Sequence, residues 1–555
     1  MNRMKKNRAR CLAVLGTGSE VGKSIVVAAL GRIFSDLGVR VAPFKAQNMS
    51  NNSFVTLDGG EMGRAQVVQA EAAGIEPHTD MNPVLLKPCT DTGAQLVLHG
   101  RTVGNREAAV YFKDTSGLFR EAKESLRRLR ASHDLIIMEG AGSCAEVNLR
   151  ARDFVNFRMA HAAKAPVILV ADIDRGGVFA QIVGTLAVIP PKDLARLRGI
   201  IINKFRGDAS LFREGISWIE QHTGLPVLGL IPYVRHMEID SEDGVPLDII
   251  TDPPFDAVSG KFALAVIRLP HISNFTDFAP FGSDPSLALH YLARPRSLHG
   301  YAVVILPGTK NVRADLEWIR YTGWVDKINA YAAHGGCIVG ICGGYQMLGT
   351  KILDPYGVEG SPGMTEGLRL LDVSTSLTKK KVLTRVKGIR ETDREEVEGY
   401  EIHMGRTRRG AGTDYAFQII VRQGRDVDIC DGATSPNGRV WGTYIHGLFD
   451  RPGFRTAFLK GLPYRRIVFK HAVKNALMAP ITVIMLHVNW LMGGIVIVEV
   501  VFGYPGLGKY LLESAMFKDI NALEAGAMVL VILAVGTQLV ADIIYTFLNP
   551  RIRYG

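Results

Sequence analysis

The chain has 555 residues, 47% hydrophobic and 21% charged, with 59 Gly and 25 Pro, which excludes a disordered, collagen-like or low-complexity protein. At roughly 150 residues per domain it should hold three or four units, and its six cysteines (Cys11, Cys89, Cys144, Cys337, Cys342, Cys430) lack the CxxC spacing of a zinc ribbon or a disulfide framework. A net charge of +11 would suit nucleic acid or an anionic surface, but a mean hydropathy of +0.11 is high for a soluble enzyme and points to an apolar segment.

Residues 1–10 form a basic tail, and the run CLAVL (11–15) behind them is too short for a signal peptide and reads as a buried strand. Strand candidates then alternate with helix-length stretches: VRVAPF (39–44), DLIIMEG (134–140), PVILVADI (166–173), GIIINKF (199–205) and PVLGLIP (226–232). That alternation predicts a parallel α/β sheet over 11–250. TDPPFDAVSG (251–260) reads as a linker, and a second α/β series over 261–455 includes FALAVIRL (262–269), YAVVILPG (301–308), GCIVGICGG (336–344) and GRVWGTYIHGLF (438–449). Two runs of bilayer-spanning length, 481–502 and 526–548, lie in the last segment, 456–555. Arg465, Arg466, Lys470 and Lys474 precede the first run and Arg551 and Arg553 follow the second, so the positive-inside rule places both flanks in the cytoplasm. The tail from Tyr464 carries +3 of the +11, so nucleic acid need not be invoked.

Gly16-Thr17-Gly18-Ser19-Glu20-Val21-Gly22-Lys23-Ser24 follows a strand and opens a helical pattern. Small residues let backbone N–H groups wrap a phosphate, Lys23 would reach the β/γ-phosphates, and the Ser24 hydroxyl would ligate Mg²⁺. Thr17 stands where a strict phosphate loop has its first Gly. Glu139, at a strand's carboxyl end, could face the metal. Asp172 and Asp174 end the next strand, where a metal- or water-linked role and a helix N-cap are both open. Lys45 with Gln47 and Asn48, and Asn203 with Lys204, follow other strands of the same sheet and are candidate substrate or phosphate contacts.

Gly340-Ile341-Cys342-Gly343-Gly344 has the G-x-nucleophile-x-G form between a strand and a helical run, an arrangement that exposes a thiol and lowers its pKa. A cysteine nucleophile needs a base, and His446 in YIHGLF follows another strand. The N–H groups of Gly308 and Gly343 are oxyanion-hole candidates. His403 in YEIHMG reads as a packed strand histidine, and the five other cysteines as structural.

A phosphate-loop unit joined to a cysteine-elbow amidase resembles the glutamine-dependent cobyric acid synthase family from about Cys11 to Leu459. KAQNMSNNS (45–53) and DIDRGGVFA (172–180) are specific to it, and MEGAGSCAEVNL, INKFRGD, LPGTKN, GICGGYQMLG, EGYEIHMG and GTYIHGLF also match. The resemblance implies a phosphate-loop NTPase-like domain followed by a class I glutamine amidotransferase domain. It implies ATP- and glutamine-dependent amidation of the b, d, e and g carboxylates of adenosylcobyrinic acid a,c-diamide, a corrinoid, with Mg²⁺. Related amidotransferases carry H-x-E at the histidine; here Leu448 takes the place of the Glu, and the third member of the triad is left open. The alternative is a ParA/MinD-like ATPase switch with an inert amidase-like domain.

From about Gly461, GLPYRRIVFKHAVKNALMAPI and DIIYTFLNPRIRYG resemble the end of a dipeptide/oligopeptide/nickel ABC transporter permease. Only its last two spans are represented, so the expectation is a gene fusion or sequence artefact without transport competence or functional permease partners. The enzyme domains are expected in the cytoplasm, with an inner-membrane anchor at 481–548.

Overall fold

The computed structural model describes residues 8–88, 93–107, 115–234, 262–461, 483, 487 and 497–548, apart from the side chains of 105–107, 461, 541, 542 and 544–548. The chain divides into two compact units, one running to Leu459 and one made of the tail from Lys460. The predicted linker 251–260 lies outside the described residues.

The first unit opens with a six-stranded parallel sheet in the order Val227–Pro232, Leu197–Phe205, Val167–Asp172, Arg10–Gly16, Leu135–Glu139, Val41–Phe44. Its strands are apolar at nearly every position because both faces are covered. Leu15, Ile136 and Leu169 point into one core, while their neighbours Val14, Ile137 and Val170 point into the other. Helix Lys23–Asp36 packs on the second face through Val26 and Val27, and helix Ser116–Ser132 on the first through Ala122, Leu126 and Leu129. The strand order places the phosphate loop. The Arg10–Gly16 strand is central, so Gly16 emerges between the carboxyl ends that carry Glu139 and Asp172.

Between Lys45 and the Ser116–Ser132 helix, a four-stranded sheet (Gln47–Met49, Val84–Pro88, Gly93–Leu98, Arg101–Glu107), a hairpin (Ser53–Val55 with Glu61–Gly63) and helix Arg64–Ala72 are inserted.

The second sheet runs Leu287–Leu292, Phe262–Ile267, Val303–Leu306, Cys337–Ile341, Val440–Thr443, Ala433–Thr434, parallel except for the last pair. A seven-stranded, mostly antiparallel sheet is built around the long strands Val373–Arg390 and Glu396–Arg409; six of its strands lie between Cys337–Ile341 and Val440–Thr443, and the seventh, Ile445–His446, follows them. The unit ends within helix Pro452–Gly461. Phe454 and Phe458 are buried there against Phe449, Phe281 and Trp441, so its packing continues past residue 455.

In the second unit, helix Leu507–Met516 lies against helix Ile520–Leu548, and Gly526 meets Leu511 where a Cβ would come within 2.5 Å of it. Ile520–Val540 is long and apolar enough to cross a membrane, and its Met528, Ile532 and Val535 are exposed. It covers most of the second predicted span. Most of the first, 481–502, lies outside the described residues.

Candidate functional site

The phosphate loop turns into its helix at Gly22, whose φ of +96° is left-handed and whose missing Cβ would otherwise sit 2.0 Å from Asn203 Nδ2. Asn203 Nδ2 donates to Val21 O (2.8 Å), and Lys204 Nζ to Glu20 O (2.7 Å), so the strand end at 203–204 braces the loop from below. Lys23 Nζ donates to Gly18 O (2.9 Å) and Gly142 O (2.7 Å), which holds the ammonium across the loop. The Thr17 hydroxyl lies 3.4 Å from Gln181 Oε1, and Gly16 has Val21 and Lys23 too close to admit a side chain.

Ser24 Oγ donates to Glu139 Oε1 at 2.8 Å, and Lys45 Nζ meets the same oxygen at 3.0 Å. Gln69 and Gln66 donate to Oε2 at 2.5 and 3.4 Å. Burial alone would push the Glu139 carboxyl up. Lys45 and the hydrogen bonds from Gln69, Lys45 and Ser24 outweigh it and hold the group ionised below the usual range. Asn48 Nδ2 donates to Gln66 Oε1, one step behind this cluster, while Gln47 sits on the short strand pairing with Val84. Asp172 has other partners: its Oδ2 accepts from Lys204 Nζ (2.7 Å) and its Oδ1 from the Asp174 N–H (2.8 Å). The following helix is capped by Gly177, so neither aspartate is its N-cap; Asp174 pairs with Arg206 instead. Among the described residues no group of three His, Cys, Asp or Glu is placed to hold a metal. A hard cation that keeps waters and shares ligands with a nucleotide needs only one or two protein oxygens, and Ser24 Oγ and Glu139 supply such a pair.

The second cluster forms on the sheet that carries the Cys337–Ile341 strand. Cys342 stands between the Cys337–Ile341 strand and the Gly343–Leu348 helix with φ +51° and ψ −105°, a backbone region that side chains avoid. Its glycine frame is steric. A Cβ on Gly344 would lie 1.9 Å from Leu306 O, and one on Gly340 2.7 Å from Gly344. Cys342 Sγ is 3.4 Å from Ile402 O.

His446, 2% exposed, faces the thiol, and its Nδ1 lies 2.7 Å from Asp277 Oδ2. The other carboxylate oxygen, Asp277 Oδ1, accepts the Gly447 N–H at 2.9 Å. Burial would keep the imidazole neutral, but Asp277 and then Cys342 more than reverse it and raise His446 to about 10. Tyr400 stacks on the ring with centroids 5.6 Å apart, and its hydroxyl accepts from Asn274 Nδ2. Gly308 borders His446, where a Cβ would approach Cε1 to 3.1 Å, and Gly343 presses on Thr309. His403 stacks on Tyr444 at 3.7 Å, with Nδ1 2.8 Å from Gly405 O; burial drives it down to about 3, so it is neutral. Gln346, four residues after Cys342, is 3% exposed, donates to Tyr444 OH and leaves its Oε1 unpartnered.

Cys342, Gly343, Gln346, His403 and His446 line one cavity of about 760 Å³, whose lining also includes Lys87, Gln95 and Arg101–Gly104 from the inserted four-stranded sheet. Asp277 and Gln346 are absent from the sequence-based expectations. Gln346 lies within the elbow's helix and carries that signal; Asp277 lies in a short 3-10 turn far from His446 in sequence.

A family model for a nucleotide-binding domain of the CobQ/CobB/MinD/ParA type matches residues 12–247, and one for a CobB/CobQ-like glutamine amidotransferase domain matches 263–454. A model for the inner-membrane component of binding-protein-dependent transport systems matches 449–554. Curated relatives named cobyric acid synthase include one from Chlorobaculum tepidum, 58% identical over 81% of this chain and 90% of that protein. A second, from Chlorobium chlorochromatii, is 56% identical over 81% and 89%. Among solved structures, PurLQS from Thermotoga maritima aligns at TM-score 0.26 and 18% identity over 34% of this chain and 87% of that one.

Proposed function

Because the chain belongs to the cobyric acid synthase family, we propose that it amidates peripheral carboxylates of a corrinoid, the b, d, e and g groups of adenosylcobyrinic acid a,c-diamide, with ammonia cut from glutamine and ATP as the activating substrate. The observation that carries this reading is the buried Cys342–His446–Asp277 relay opening into a cavity walled by both domains.

On the amidase side, the thiolate of Cys342 attacks the glutamine amide carbon while the N–H groups of Gly308 and Gly343 receive the developing oxyanion. His446, charged through Asp277, gives a proton to the departing ammonia and takes one from the water that hydrolyses the glutamyl thioester. The unpartnered Gln346 Oε1 is available to a glutamine N–H donor. On the synthetase side, Gly16–Gly22 cradle the nucleotide phosphates, Lys23 neutralises charge, and Lys45 with Glu139 orders the cluster beside them. Ser24 and Glu139 would hold Mg²⁺, which when bound shields phosphate charge. Ammonia attacks the acyl phosphate formed on the corrinoid carboxylate and phosphate leaves. An ATPase switch would need neither the thiol nor its relay.

Cys342→Ala separates the readings. It should abolish amidation supported by glutamine and leave amidation supported by ammonium salts intact, as read by the mass of the corrinoid product. Unchanged glutamine-supported amidation in that variant would refute the assignment.

A further inference from the structure

The cavity that holds Cys342 is bordered by a set of buried charges that neither half-reaction uses. Glu61, fully buried on the Glu61–Gly63 strand, accepts from Lys87 Nζ (2.8 Å) and Ser53 Oγ (2.9 Å) on one carboxylate oxygen. Its other oxygen accepts from Lys381 Nζ at 2.5 Å. Lys381 belongs to the other domain. It sits on the Val373–Arg390 strand where pairing with Glu396–Arg409 slips between Leu377 and Val382, an irregularity that re-aims side chains. Gln95 Oε1 then accepts from both Lys381 (3.3 Å) and Lys310 (3.0 Å), and Lys310 lies two residues after Gly308, which borders His446. Lys87, Gln95, Lys310 and Lys381 all line the Cys342 cavity.

The network therefore ties the inserted sheet and hairpin of the first domain to the second domain beside the cavity that holds Cys342. Glu61 also starts the stretch that leads through Gly63 into helix Arg64–Ala72, whose Gln66 and Gln69 grip Glu139. Burial pulls the Lys381 ammonium down to about 7 against the opposing field of Glu61, with Lys87 and Lys310 adding to the pull. Two ammonium groups on one carboxylate, Lys87 and Lys381 on Glu61, stay dry only while the pairings hold; losing one partner leaves a buried charge that draws in water.

We propose that the Lys381–Glu61 ion pair is a positioning seal between the two domains, keeping the ammonia released at Cys342 inside the molecule until it meets the activated carboxylate. The proposal rests on the glutamine-dependent reading of the Cys342 site. Hydrolysis converts glutamine and water to glutamate and ammonia, and a tight seal makes one amide per glutamate; a leaking one lets ammonia exchange with bulk water.

The test uses the full chain and two variants, Lys381→Met and Lys381→Arg, measuring glutamate and corrinoid amide formed from glutamine, and amide formed from ammonium chloride. Lys381→Met should raise the glutamate-to-amide ratio at least threefold with ammonium-supported amidation within twofold of the parent, and Lys381→Arg should restore the parent ratio. An unchanged ratio in Lys381→Met overturns the seal. So does a parallel loss of glutamine- and ammonium-supported amidation, which would mark Lys381 as merely structural. Absence of any glutamate from the parent chain would instead refute the glutamine-dependent reading itself.

Discussion

His446 owes its charge to Asp277, and the dependence has a sign that pH can read. The carboxylate and the thiol hold the imidazole at about 10, above its ordinary 6.5, so the ion pair's contribution is complete below pH 6.5 and is lost as pH rises through 10. Asp277→Asn should move the alkaline limb of the glutaminase pH profile downward and cut kcat/KM by on the order of 10²–10⁴. Ammonium-supported amidation should stay unchanged, because the synthetase cluster around Glu139 does not involve this residue. Cys342 and His446 were legible in the sequence because a sharp strand-to-helix turn leaves glycines as its trace. Asp277 left none. It reaches His446 only through the fold, from a turn 169 residues upstream, and no periodicity records such a meeting. Lys45 and Glu139 were legible as strand-end residues, but their ion pair was not, since sequence order says nothing about which carboxyl ends lie side by side.

At the scale of elements, the buried parallel strands were the readable part. LAVL, LIIM and VILVA stand out because they are apolar on both faces, and their predicted limits differ from the observed strands by one or two residues at most ends. The long antiparallel strands were not readable. VSTSLTKKKVLTRVKGIR is half-exposed, carries a pairing slip in its middle and mixes charge into its buried face, which erases a clean period of two. The elbow is the element with the least tolerance. Gly344→Ala would drive a Cβ onto Leu306 O, so the variant should lose roughly 2–4 kcal/mol of stability as well as glutaminase activity, measurable as a lower urea midpoint with an unchanged slope.

The whole molecule joins an enzyme unit to a tail of different character. Phe458 is buried with Phe281, Phe449 and Trp441, whereas past Leu459 the described helices expose apolar side chains such as Ile532 and Val535. The transport-type match begins at 449 and the amidotransferase match ends at 454, so the two overlap inside the enzyme's last packed segment. The chain's positive mean hydropathy, +0.11, averages these two characters. We expect the full chain to sediment with membranes on fractionation and a chain ending at Leu459 to stay in the supernatant with equal glutamine-supported amidation per mole. A pelleted truncated chain would place membrane affinity in the enzyme unit instead.

The backbone at Cys342 has a consequence for how such a chain can change. At φ +51° and ψ −105° the position suits glycine better than any residue with a side chain. A sequence optimised for folding alone would drift to glycine there and lose its sulfur. In the nucleophile role proposed for Cys342, thermal screening of variants would then reward dead enzyme, and residue 342 would be the place where selection for stability and selection for turnover pull in opposite directions.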